Sequence, residues 1–166
     1  GNLNELFGVV KQSSEDLRGF ISVSLVSLQI PGREEFLNSL AQKRDLVMPT
    51  IDELRDFWSM YMEEIYQSGK VVSFRAEVNS ADGGTEERDV VRVGSFNLIS
   101  DGKYLQYSNG DISEYGAQPP GRFVSSTSDL VNAGEGTYAG FGIDPSRGQI
   151  LSTFIPVPSL WDRFNY

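Results

Sequence analysis

The chain reads as an α+β protein, with helices over about 3–28, 32–43 and 51–68 packed on an antiparallel β-meander over about 70–125, and short helices at the C-terminal end. Three observations carry this. Apolar residues recur every three or four positions through the first third of the chain. From Lys70 the period drops to two. Asp101-Gly102 and Asn109-Gly110 then join half-apolar runs, and such dipeptides supply the positive φ that two-residue hairpin turns require.

In the first helix Leu3, Leu6, Val10, Ser13, Leu17 and Phe20 alternate by three and four, the seam of a short heptad pattern. Residues 1–28 therefore read either as the end of a coiled coil or as an amphipathic helix lying on its own domain, with 48–166 as the globular α+β part of one soluble domain. Gly8 and Gly19 each weaken this helix by about 1 kcal/mol relative to Ala, so packing has to hold it. Pro31-Gly32 breaks the chain, and Phe36, Leu37 and Leu40 give the next short helix its buried side. Thr50-Ile-Asp-Glu53 is a capping box that opens the third helix. Its buried face is expected to hold Ile51, Leu54, Trp58, Met62 and Ile65, widened by Phe57 and Tyr61, with Asp56, Glu63 and Glu64 on the wet side and Gly69 at the end.

Val72, Phe74, Ala76 and Val78 alternate with Ser73, Arg75 and Glu77, as in strands buried on one face. A glycine-rich loop over 79–85 returns the chain into a strand around 88–96, and Pro119-Pro120 ends regular pairing. Beyond it a short helix is expected from Ser128, a loop or irregular strand over 134–142, a capped helix start at Asp144-Pro-Ser-Arg147, and an amphipathic piece with Leu160, Trp161 and Phe164.

The 166 residues fit one domain and bury enough surface to need no staple. Cysteine and histidine are both absent, which excludes disulfides, thiolate metal sites and Ser-His-Asp or Cys-His machinery within this sequence. A net charge of −9 speaks against nucleic acid, whose phosphates are bound by Lys and Arg. No run of apolar residues is long enough for a membrane span; Phe20–Ile30 is too short and serine-laced.

Candidate chemistry is sparse. Asp52, Glu53, Asp56, Glu63 and Glu64 sit on a solvated helix side and do not read as a paired-acid site. Asp82-Gly-Gly-Thr-Glu-Glu87 has calcium-loop composition without the spaced ligands of an EF-hand. Gly134, Gly136, Gly140 and Gly142 lack the Gly-Lys-Ser/Thr ending of a phosphate loop. Tyr104, Tyr107, Tyr115, Phe123, Tyr138 and Phe141 read as an apolar groove or as cross-strand pairs and core. No catalytic, cofactor-binding or metal-binding residue is expected.

Several segments resemble a known family: Phe7-Gly-Val-Val10, Ser68-Gly-Lys-Val-Val72, Val90-Val-Arg-Val-Gly-Ser-Phe96, Ser100-Asp-Gly-Lys-Tyr-Leu105, Gln118-Pro-Pro-Gly-Arg-Phe123 and Asp144-Pro-Ser-Arg-Gly148. They are similar to the extracytoplasmic region of large ExbB/TolQ/MotA-type proton-channel proteins, the TtpC-like components of TonB systems. That resemblance implies a signal sequence and coiled coil before these residues and three membrane helices after them. It implies a non-catalytic periplasmic domain of an inner-membrane protein, with ExbD-like and TonB-like partners and self-association through the N-terminal helix. Contacts are expected at that helix and at the exposed edge of the meander, with the aromatic end Trp161–Tyr166 approaching a membrane surface. The alternative expectation is a periplasmic module for a small apolar or glycan ligand.

Overall fold

In the computed structural model the described residues are 2–43, 47–108, 110–134 and 136–154; the Leu160, Trp161 and Phe164 segment lies outside them. The chain divides into two compact units, Gly1–Lys70 and Val71–Tyr166.

The first unit holds three helices, α1 (Asn2–Ile21), α2 (Arg33–Ala41) and α3 (Ile51–Ser68). The first ends at Ile21, earlier than the expected 28, because Ser24 caps a separate 3-10 turn, Leu25–Leu28, by accepting from the Val26 N–H. Its buried seam is Phe7, Val10, Ser14, Leu17 and Ile21. Val10 and Leu17 are buried as expected, but the alternate positions fall one residue later: Leu6 and Phe20 are exposed, and Phe7, Ser14 and Ile21 are buried in their place. Burying Phe7, Leu17 and Ile21 stabilises by about 1.5–3 kcal/mol each, which outweighs the two helical glycines. Leu17, Ile21 and Leu37 form the core, with Phe36, Phe57, Met60 and Tyr61 packed against it.

The Thr50 capping box forms as its sequence requires, Thr50 accepting from the Glu53 N–H while Glu53 accepts from the Thr50 N–H. The face of α3 follows expectation only at Phe57 and Tyr61, which pack inward. Ile51, Trp58, Met62 and Ile65 are exposed, and Glu64 is buried. Inward positions are Phe57, Met60, Tyr61 and Glu64, a stripe one residue to the side of the anticipated one.

The second unit is a sheet of five strands, β1 (Val71–Asn79), β2 (Thr85–Val93), β3 (Asn97–Ser100), β4 (Lys103–Ser108) and β5 (Asp111–Glu114), followed by α4 (Gly121–Asn132) and a 3-10 turn at Leu151–Thr153. Successive strands pair antiparallel. The sheet is nonetheless not an open meander: it closes into a barrel. Five alternating strands leave the first and last pointing the same way, so the closing pair is parallel, Val78 against Ile112 and Asn79 against Ser113. Strand pairing ends at Glu114 and α4 begins at Gly121, ahead of the expected sheet limit near 125 and of Ser128.

Directly opposed residues share a face, so the register places Phe74 with Val90, Arg92 with Leu98, Leu98 with Leu105, and Tyr107 with Ile112. This face carries the buried Val78, Val90, Leu98, Leu105 and Ile112. On the opposite face Val91, Val93, Ile99, Tyr104, Tyr115 and Leu151 form a second cluster, covered by Phe123, Leu130, Phe141 and Phe154. Burial on both faces explains why Val90–Val93 and Asn97–Ser100 show no exposed alternation. At the β3–β4 turn Asp101 and Gly102 both have positive φ, 48° and 76°, as a type I′ hairpin requires.

The helix expected at Asp144 is a series of turns. Asp144 does act as an N-terminal acceptor: Oδ1 takes the Ser146 N–H at 2.8 Å, and Oδ2 takes those of Gly148 at 3.0 Å and Leu151 at 3.2 Å. Arg147 and Gly148 then take positive φ, 57° and 97°, which stops propagation of a helix. No helix among the described residues is long and apolar enough to cross a membrane.

Candidate functional site

Each unit has a concave region and a set of buried charges. In the helical unit, α2 begins at Arg33 and carries its guanidinium beside α3. Arg33 Nη1 donates to Glu64 Oε2 at 2.7 Å, Ser24 Oγ donates to Glu64 Oε1 at 2.5 Å, and Arg33 Nη2 donates to Ser27 Oγ at 2.8 Å. Arg33 Nε is buried without a partner. This pair ties the 3-10 turn, α2 and α3 together, and it gives each oxygen of Glu64 a hydrogen-bond donor.

Beside it lies an open groove of about 390 Å³ between α1 and α3, lined by Asp16, Leu17, Phe20, Tyr61, Glu64, Ile65 and Ser68. Tyr61 Oη donates to Ser13 O at 3.3 Å, so the ring spans the two helices. Burial, with Asp16 as a second cause, raises the Tyr61 hydroxyl above its ordinary pKa, so it stays a neutral donor. Asp16 is exposed on the groove wall and accepts from Gln12 Nε2 at 2.9 Å. The apolar row of α3 continues from this groove: Ile65 is 63% exposed, Met62 47%, Trp58 65% and Ile51 77%.

In the barrel unit, a smaller pocket of about 100 Å³ lies among Tyr104, Phe123, Ile143, Leu151 and Phe154, with Asp144 at its wall. Burial opposes ionisation of Asp144, but the Ser146 hydroxyl and the converging backbone N–H groups win and hold its carboxyl below the usual range. Tyr115 is pushed up to about 12, first by burial and then by the Asp144 charge. Gln118 takes the place of a strand neighbour: its side-chain amide accepts from the Tyr104 N–H at 2.8 Å and donates to Tyr104 O at 3.0 Å. At one barrel end Arg88 and Lys103 converge on the buried Glu114, at 2.6 and 2.9 Å, and Arg88 also pairs with Glu86. Burial again opposes and the two cations prevail, so Glu114 is held below its ordinary pKa.

The residues singled out from sequence are scattered. Asp52 pairs with Arg55, Glu53 serves the Thr50 cap and Lys43, and Glu63 accepts from Gln67. Asp82 closes its own turn by accepting from the Gly84 N–H. Among the described residues no group of acidic side chains is placed to hold a metal ion. Tyr104, Tyr115, Phe123 and Phe141 are gathered into the outer cluster of the barrel, Tyr104 stacking on Phe141 at 5.6 Å between ring centroids. Tyr107 faces Ile112 across β4 and β5, whereas Tyr138 projects fully into solvent. Gly142 is needed for close approach, since a Cβ there would stand 2.6 Å from Phe123.

Sequence reasoning missed the groove and the burial of Glu64. The available signal was a second seam, Phe7, Val10, Ser14, Leu17 and Ile21, with the same spacing as the one chosen. Comparison with known proteins gave no match to a family model, a curated protein or a solved structure.

Proposed function

We propose that this chain is a non-catalytic docking domain, the periplasmic part of an ExbB-like inner-membrane protein that contacts ExbD-like or TonB-like components during energised outer-membrane uptake. The observation that supports docking is the exposed apolar row of α3, above all Trp58 at 65% and Ile65 at 63% exposure. A contiguous patch of this kind, holding an aromatic side chain and rimmed by charge, is the composition of protein interfaces. The placement in an ExbB-like protein rests on the sequence segments named above. Barrel closure moves the docking surface away from the sheet edge, because closure pairs the strand ends that an added strand would use.

The second reading, a module for a small ligand, draws on the groove of about 390 Å³, a volume within the range of ligand sites. The pocket of the barrel unit, at about 100 Å³, is too small for that role.

A photo-reactive aromatic residue introduced at Trp58 tests the docking reading in native membranes. Cross-linking to an ExbD-like or TonB-like protein is the expected result. Recovery of the protein with no cross-linked partner, from cells energised for uptake, sinks it.

A further inference from the structure

The chemistry of the α1–α3 groove narrows the partner, and this inference rests on the docking reading above. Phe20, Leu17 and Ile65 make the groove apolar, and the charged side chains lining it are both carboxylates, Asp16 and Glu64. Glu64 is already neutralised by Arg33 and hydrogen-bonded to Ser24. Asp16 stands exposed on the wall and accepts from the neutral Gln12 amide. Along α3, Asp52 and Glu53 are paired with Arg55 and Lys43, while Asp56 and Glu63 add acidic charge without a cation of their own among the ion pairs of the described residues.

We infer that the groove receives an amphipathic helix of a partner protein whose apolar stripe contains a lysine or arginine set to meet Asp16. The spacing supports a helix as occupant. Trp58, Met62 and Ile65 advance by four and three along α3, the pattern that meshes with an apolar stripe of the same period. Charge selects its sequence. A purely apolar occupant would strip water from Asp16 without replacing it, and an acidic one would add repulsion. A second copy of this chain is disfavoured for the same reason. A two-fold contact presents one patch to itself, which brings two Asp16 carboxylates and two acidic flanks together.

The test uses the whole chain and a labelled helical peptide of leucine and lysine, about five turns long with apolar positions at three- and four-residue spacing, beside a counterpart with glutamate for lysine. Fluorescence anisotropy reads binding to wild type, Asp16→Asn, Asp16→Lys, Ile65→Ser and Asp129→Asn, the last being an exposed carboxylate of α4 in the other unit. Circular dichroism confirms that each variant is folded. The lysine peptide is expected to bind wild type and Asp129→Asn alike, about tenfold more weakly to Asp16→Asn and Ile65→Ser, and not to Asp16→Lys. Equal loss in Asp16→Asn and Asp129→Asn, equal binding of the glutamate peptide, or sedimentation showing a dimer dissolved by Ile65→Ser but indifferent to Asp16 overturns the inference. A cross-link from position 58 that survives Asp16→Lys likewise overturns it while leaving the docking domain intact. Absence of any cross-link removes the docking reading itself.

Discussion

Replacing Arg33 by methionine leaves the Glu64 carboxylate buried without its counter-charge. The side chains are 5% and 6% exposed, so water cannot take over the role of the guanidinium. Breaking a buried pair by removing one partner typically costs about 3–5 kcal/mol. Ser24 still donates to Oε1, which places the expected loss near the lower figure, about 3 kcal/mol. Glu64→Leu strands the guanidinium with a hydrogen bond to the Ser27 hydroxyl and no counter-charge, and is expected to cost about the same. The double variant Arg33→Met, Glu64→Leu removes both charges and the unpartnered Nε, itself a burden of about 1–3 kcal/mol. Ser27 still donates to Ile21 O, and Ser24 still accepts from the Val26 N–H but loses the acceptor of its O–H, a cost that offsets the gain from removing the unpartnered Nε. The double variant should lie within about 1 kcal/mol of wild type, a coupling of about 5 kcal/mol between the two positions. Urea unfolding followed by tryptophan fluorescence and far-ultraviolet circular dichroism measures all four proteins. A loss below about 1 kcal/mol for Arg33→Met, or a double variant as unstable as the two singles summed, refutes the buried pair.

Gly102→Val should destabilise by more than about 1 kcal/mol. A Cβ there would meet nothing closer than 3.8 Å, so the loss comes from the φ of 76° alone, and Gly102→Asn should lose less than half as much. At Gly148 the φ of 97° is compounded by a Cβ 2.4 Å from the Tyr115 hydroxyl. Gly148→Ala should therefore exceed Gly102→Ala in calorimetry, and Tyr115→Phe should recover part of the difference. Glu114 and Asp144 are held below their ordinary values, so the unfolded chain takes up protons first as pH falls. Their stabilisation is present above the unfolded pKa values near 4.5 and 3.8 and is lost below them; Glu114→Gln should flatten the acid limb of stability against pH. Tyr115 has the opposite sign. Its contribution is full below an unfolded pKa of 10.0 and lost as pH rises through about 12, visible as late phenolate absorbance missing from Tyr115→Phe.

Local rules were legible where one turn holds both partners, though not at Asp144, where the expected helix start gave turns. Thr50 and Glu53 lie within one turn, so the capping box needs no distant partner, and Asp101-Gly102 sets its own hairpin through two positive φ values. The period-two alternation of Val72, Phe74, Ala76 and Val78 likewise put those residues on one face of β1. Barrel closure was not legible, because the Val78–Ile112 pairing depends on how five strands twist and coil together rather than on any residue in either strand.

The helix faces mark the same division. Two seams with the same three-and-four spacing run along α1, sharing Val10 and Leu17 and parting at Leu6 or Phe7, Ser13 or Ser14, and Phe20 or Ile21, and hydrophobic period alone cannot choose between them. Packing against Leu37, Phe57 and Tyr61 chose the seam with Leu17 and Ile21. The same choice turned α3 so that Glu64 met Arg33 inside while Trp58 and Ile65 were left in solvent. The sequence by itself determined the three N-terminal helices, the antiparallel order of the strands, the Thr50 cap and the Asp101-Gly102 turn, and the absence of cysteine and histidine chemistry. Only tertiary structure decided which carboxylate is buried and which apolar row faces outward, because burial belongs to pairs of surfaces and a single strand or helix specifies just one of them.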